Sequence, residues 1–168
     1  MQLTRSPGAE MDPEWESVPS WSPDSSQIVY LSNSNHSHIY APTQLAVVDL
    51  TNHREKIVAP EDRWFTKPKW SADGKKIYAL VEISRNTHLS EIDVRTGTVN
   101  ALTHGAGVDS NFSVANQRIV VISSNDQHPP ELFAVENILR PLTHHNQKLL
   151  EQVKFLPVDD IEFKSTDG

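Results

Sequence analysis

Two stretches decide the fold: Trp21-Ser22-Pro23-Asp24-Ser25-Ser26-Gln27-Ile28 and Trp70-Ser71-Ala72-Asp73-Gly74-Lys75-Lys76-Ile77. They line up without a gap and share the tryptophan, serine, aspartate and isoleucine. A fainter third copy reads Phe112-Ser113-Val114-Ala115-Asn116-Gln117-Arg118-Ile119. The spacing falls in the ~40 to 50 residue range of blade-sized repeats. In each copy an aromatic residue ends one strand, a tight polar turn follows, and an apolar strand opens at the isoleucine. The turn needs a left-handed backbone after the aspartate. Gly74 adopts that without steric cost and Asn116 tolerates it, whereas Ser25 should be mildly strained there.

Outward from each turn the same order recurs. The strands Ile28-Val29-Tyr30-Leu31, Ile77-Tyr78-Ala79-Leu80-Val81 and Ile119-Val120-Val121-Ile122 are apolar at successive positions, so both faces should be buried, as in a sheet stacked between two others. A third strand ends on an acid in each unit: Asp49, Asp93 and Glu136. Turn residues follow, and a fourth strand closes at Ile57-Val58, Leu102-Thr103 and Leu142-Thr143. Val18-Pro19-Ser20 and Lys67-Pro68-Lys69 form the first strands. Proline lacks an amide donor, so these strands belong at an edge.

Four antiparallel strands per unit make a propeller blade. The expected fold is therefore all-β, a partial propeller of about three four-stranded blades over residues 14–58, 63–103 and 108–143. Leu3-Thr4 matches the Leu-Thr that ends a blade, so residues 1–13 are expected to hold the last strand of a preceding blade and a loop. Trp21, Ile28, Trp70, Ile77, Phe112 and Ile119 should be mostly buried. The first blade carries a longer polar loop from Asn33 to Thr43, which identifies no ligand.

Composition bounds the function. In 168 residues, 37% are hydrophobic and 22% charged, enough apolar material for a core. No apolar run approaches the roughly 20 residues of a membrane-spanning helix. The net charge of −7 argues against a nucleic-acid partner, because phosphate-backbone binders carry excess Lys and Arg. With no cysteine there is no disulfide, no thiolate nucleophile and none of the common structural zinc sites. The opening Met1–Gly8 has no apolar core of a secretion signal, and a cytoplasmic location is the resulting expectation.

The W-S-P-D and W-S-A-D-G turns, each followed by an isoleucine strand, resemble the blade repeat of TolB-type propellers and of the prolyl oligopeptidase family. The tail separates the two. Leu139-Arg140-Pro141-Leu142-Thr143-His144-His145-Asn146, then Leu149-Leu150 and Ile161-Glu162-Phe163-Lys164-Ser165-Thr166-Asp167-Gly168, is similar to the exit from the propeller in the acylaminoacyl and dipeptidyl peptidase branch. The resemblance implies that residues 144–168 cross toward an α/β-hydrolase domain that this sequence does not contain. It also implies a parent serine peptidase whose propeller limits substrate size. The partners implied are that hydrolase domain and the parent's peptide substrates. The alternative is a stand-alone TolB-like interaction module.

No G-x-S-x-G nucleophile turn occurs in the sequence, so the chain alone is read as non-enzymatic. No catalytic, cofactor-binding or metal-ligating residue is assigned, and no cofactor. His36 with His38, and His144 with His145, are read as loop residues rather than metal ligands. Asp24 and Asp73 are read as turn formers, and Trp15 and Trp64 as packing residues outside the repeat. Asn35-His36-Ser37 and Asn111-Phe112-Ser113 match the glycosylation pattern, without a secretory context to support it. Three blades leave two open apolar faces, so the chain is expected to self-associate.

Overall fold

The computed structural model describes residues 2–4, 18–32, 42–60, 63–153, 155–156, 158–159 and 161–166. His36, His38, Trp15, the Asn35-His36-Ser37 triplet and most of the 33–43 loop lie outside the described residues. Nearly all of the regular secondary structure among the described residues is strand. In the first unit β1 (Ser20–Trp21), β2 (Gln27–Ser32), β3 (Gln44–Asp49) and β4 (Glu55–Ala59) pair antiparallel in chain order. The second unit holds β5 (Phe65–Trp70), β6 (Lys76–Ile83), β7 (Asn86–Asp93) and β8 (Val99–Ala101). The third holds β9 (Val108–Ala115), β10 (Arg118–Asn125), β11 (His128–Ala134) and β12 (Arg140–Pro141), followed by a single helical turn α1 (Gln147–Leu150). A parallel bridge, Thr87 to Val108, links the second and third units, because the connection between them folds back against the β6–β7 hairpin. Gln2–Thr4 are irregular.

The repeated turns work as their residues require. Asp24 Oδ1 accepts from Ser22 Oγ (2.6 Å) and from the Ser26 amide (3.0 Å), and Asp73 Oδ1 accepts from Ser71 Oγ (2.7 Å) and the Lys75 amide (3.1 Å). Each serine hydroxyl in turn accepts the amide that opens the next strand, Gln27 or Lys76, at 2.9 Å. These donors hold both carboxylates below the usual range, the serine hydroxyl contributing most, and Asp24 falls to about 2. Ser25 takes φ 60° and Gly74 φ 69°, so the serine does carry the strain its position implied. At the other strand end, Asp49 and Asp93 cap their turns by accepting the amides of Thr51 and Asn52, and of Arg95 and Thr96. Pro68 sits in edge strand β5 at a bulge between Thr66 and Lys69, a position that needs no amide donor.

The third copy differs from its expected alignment. Trp21 pairs with Ile28 and Trp70 with Ile77, but Ile119 pairs with Val114 and not with Phe112. The cause is the turn. Units 1 and 2 use a longer loop, whereas unit 3 closes tightly through Asn116 (φ 48°) and Gln117 (φ 62°), the left-handed pair of a two-residue hairpin. Val114 therefore takes the tryptophan's place, and Phe112 packs two residues earlier in the strand.

The core lies between the units. Val29, Leu31, Leu45, Val47, Val58 and Ala59 of the first unit meet Phe65, Trp70, Ile77, Ala79, Val81 and Ile92 of the second. On its other face the second unit sets Leu80 and Leu89 against Phe112 and Val121 of the third. Both faces of β6 are thus covered, as its apolar run implied. Of the six residues expected in the core, Trp70, Ile77 and Phe112 are buried, while Ile28 and Ile119 are only half-buried. Trp21 is 59% exposed, against 9% for Trp70. Trp70 is covered because unit 1 lies beside it; no described unit lies beside Trp21.

Candidate functional site at the exit end of the strands

Strand direction sorts the connections into two ends. The turns joining first to second and third to fourth strands lie at one end. The β6–β7 and β10–β11 hairpins, the links between units and the C-terminal segment lie at the other, which is the exit end. The link at 102–107 is held there by Gly107, whose amide donates to Asn86 Oδ1 (2.8 Å) and whose carbonyl accepts from Thr87 (3.1 Å). A Cβ on Gly107 would meet the Ser124 carbonyl at 2.7 Å, so the link is wedged between units 2 and 3.

The Leu-Thr ending of the repeat builds a polar staple at this end. Thr103 is buried; its hydroxyl accepts from the Leu89 amide (2.9 Å) and donates to the buried carboxylate of Asp109, on the first strand of the next unit. Asp109 also accepts from the Leu89 amide (3.0 Å). A buried carboxylate stays in place only when donors converge on it, and here both come from the neighbouring second unit. In unit 3 the Thr143 hydroxyl accepts from the Leu132 amide (2.9 Å), but donates to Glu131 of its own unit. Glu131 accepts further from the amide and side chain of Asn146 (2.8 and 3.1 Å). The Thr143 hydroxyl, then Asn146, and the charge of His145 hold the Glu131 carboxyl below its ordinary range. The staple that ties unit 2 to unit 3 becomes, in unit 3, a tie to the start of α1.

A groove of about 480 Å³ lies beside this tie. Phe133, Leu139, Pro141 and Leu150 give it an apolar floor, and His104, His128, His144 and Glu131 a polar rim. Asn125 Oδ1 accepts the amides of Gln127 and His128, so His128 Nδ1 donates to it (2.9 Å). Ser123 and Ser124 also line the groove, but among the described residues no hydrogen bond joins either to a histidine, and no three His, Asp or Glu side chains converge as metal ligands. His145 lies next to His144 without joining the rim.

Beyond α1 the described residues are irregular and expose apolar side chains to solvent: Leu156 is 74% exposed, Ile161 84% and Phe163 88%. No described helix is long and apolar enough to cross a membrane. Asn111 of the second glycosylation-type triplet is exposed on β9, its side chain accepting the Phe112 amide (2.9 Å). Trp64 is half-buried, and its carbonyl accepts the Glu82 amide (3.0 Å).

No family model matches the chain. Among curated proteins it is 26% identical over 158 residues to a dipeptidyl-peptidase 5 of Porphyromonas gingivalis, which covers 92% of this chain and 23% of that protein. The chain thus spans less than a quarter of the length of the curated relatives it matches. Among solved structures it superposes on an acylaminoacyl peptidase in complex with Z-Gly-Gly-Phe-chloromethyl ketone, with TM-score 0.74 and 19% identity, over 86% of this chain and 22% of that one. The β-propeller domain of the Trilobed protease from Pyrococcus furiosus gives 0.61 and 20% over 73% and 36%, and TolB from Acinetobacter baumannii 0.59 and 19% over 76% and 32%. In sequence and fold the chain is similar to the propeller part of prolyl oligopeptidase-type peptidases.

Proposed function

We propose that this chain is a non-catalytic propeller segment of a serine peptidase, which packs by its exit end on an α/β-hydrolase domain and limits the peptides that reach it. The observation that carries this reading is the sequence match to dipeptidyl-peptidase 5, 26% identical over nearly the whole chain. The exposed series Leu156, Ile161 and Phe163 supports it, because a packed catalytic layer would take those side chains out of water. The groove at Glu131 and the three histidines opens at the same end and would border the space between the layers. The propeller's part in the reaction is steric: it excludes bulky substrates, while bond breaking belongs to a nucleophile outside this sequence.

The test is complementation in trans. A separately produced α/β-hydrolase domain of a dipeptidyl-peptidase 5 is mixed with this chain, and binding and substrate-length preference are measured. The expected result is a complex that turns over dipeptidyl substrates and loses activity on long peptides, and that Phe163→Asp with Ile161→Asp weakens. Absence of binding, or binding that leaves length preference unchanged, would overturn the proposal and favour the stand-alone interaction module.

A further inference from the structure

The groove at the exit end continues the core that units 2 and 3 share. Phe133 and Leu139 of its floor pack against Leu80, Leu89, Phe112 and Val121. Its flanks are internal to the chain: His104 and Ala106 come from the link between the two units, and Gln147 and Leu150 from α1, which Glu131 holds through Asn146. The pocket is therefore preformed. At about 480 Å³, with an apolar floor and a few polar groups around it, it has the dimensions of a ligand pocket and not of a flat contact between domains.

Histidine makes the rim. The Thr-His pair that follows the closing leucine of units 2 and 3 supplies His104 and His144, and His128 is oriented by Asn125 Oδ1 at 2.9 Å. All three are exposed, so protons reach them. Glu131 is the one carboxylate among the described lining residues, and no Lys or Arg lines the groove with it. Its oxygens already accept from Thr143 and Asn146, and the charge of His145 acts on it as well. On the elements that bound the groove the other charged groups are Asp126, Lys148 and Glu151, all exposed, Arg118 at the far end of β10, and Arg140, which pairs with Glu136 at 2.8 Å. None of them lines it. Apart from the engaged carboxylate the rim is uncharged while its imidazoles are neutral, and it gains positive charge as pH falls through the histidine range of about 5 to 8.

We propose that this groove is a substrate subsite for an uncharged apolar side chain, leucyl or phenylalanyl in kind, which it holds at neutral pH and releases in acid. The subsite rests on the reading of the chain as a peptidase propeller, because the side chain belongs to a peptide standing between the two layers. An apolar group that enters strips water from the imidazoles beside it, and a charged imidazole resists that loss. Occupation therefore favours the neutral rings and releases protons, so affinity falls as pH falls. One imidazole that must stay neutral costs about 10-fold in affinity one pH unit below histidine's ordinary value of about 6.5.

The test is binding of N-acetyl-phenylalaninamide to the full chain, followed by NMR at the resonances of Phe133, Leu139 and Leu150, at about pH 7.5 and again at about pH 5.5. It needs no catalytic domain, so a failure of the peptidase reading, seen in the complementation in trans, is told apart from a failure of the subsite. The expected result is saturable binding at the higher pH, weakened about 10-fold or more at the lower, with N-acetyl-alaninamide not binding. Leu150→Asp, on a single helical turn outside the sheets, is expected to abolish binding while leaving the urea midpoint unchanged. The combined variant His104→Gln, His128→Gln and His144→Gln is expected to bind alike at both pH values. No binding at the higher pH, shifts that survive Leu150→Asp, or a pH dependence that persists in the combined variant would each overturn the proposal.

Discussion

Replacing Gly97 by alanine should loosen the first unit from the second. Gly97 stands at φ +76°, and a Cβ built on it would lie 2.2 Å from the carbonyl oxygen of Val58, on the last strand of the neighbouring unit. The left-handed conformation alone costs a non-glycine residue about 1 to 2 kcal/mol. The overlap adds about 1 to 3 kcal/mol, the scale of overpacking, because the atom that must move is backbone. The expected loss is therefore about 2 to 5 kcal/mol, read as a shift of the urea midpoint at constant slope. The chain supplies its own control. His53 occupies the same turn position in unit 1, its amide donating to Asp49 O as Gly97 donates to Asp93 O, and it holds φ 57° with a side chain in place. His53→Ala should thus change stability by less than about 0.5 kcal/mol. If Gly97→Ala costs no more than the conformational part alone, the close approach of Val58 is not what requires glycine, and the packing of units 1 and 2 is misread.

Three further outcomes follow from named contacts. Asp109→Ala should destabilise by about 1 to 3 kcal/mol, since it strips the buried Thr103 hydroxyl of its acceptor; Glu131→Ala, at the more open equivalent, should cost less, and paired urea titrations compare them. Asp24, Asp73, Asp93 and Glu131 all have carboxyls held low in the folded chain, so their stabilisation is complete above the unfolded values near 4 and is lost as pH falls through the folded ones, to about 2 for Asp24. Melting temperature should therefore fall between about pH 4 and 2, and Asp24→Asn should flatten that slope; a slope unchanged in the variant would refute the assignment. The purified chain should not hydrolyse dipeptidyl or acyl-peptide test substrates, its sequence having no G-x-S-x-G nucleophile turn; turnover that survives purification and remains after heat-killing of contaminants would refute it.

What could be read from the residues alone was whatever their neighbours in the chain enforce. The Ser-Pro-Asp and Ser-Ala-Asp-Gly turns close on their own hydrogen bonds, the acids at 49 and 93 cap their own strand ends, and runs of successive apolar residues mark the strands between them. The blade repeat, and with it the all-β fold, follows from such local rules. The Leu-Thr endings were visible as a repeat, but not as a staple, because the carboxylate each threonine meets depends on how the chain folds back: Asp109, six residues on, in one case and Glu131, twelve residues back, in the other. The third copy was misaligned because a two-residue hairpin and a longer loop leave nearly the same run of letters, while the strand pairing that tells them apart is a contact across the turn. Tertiary structure decided the fate of the tryptophans. Trp21 and Trp70 sit in the same motif with the same local conformation, and burial separates them only because a neighbouring unit stands beside one and not the other.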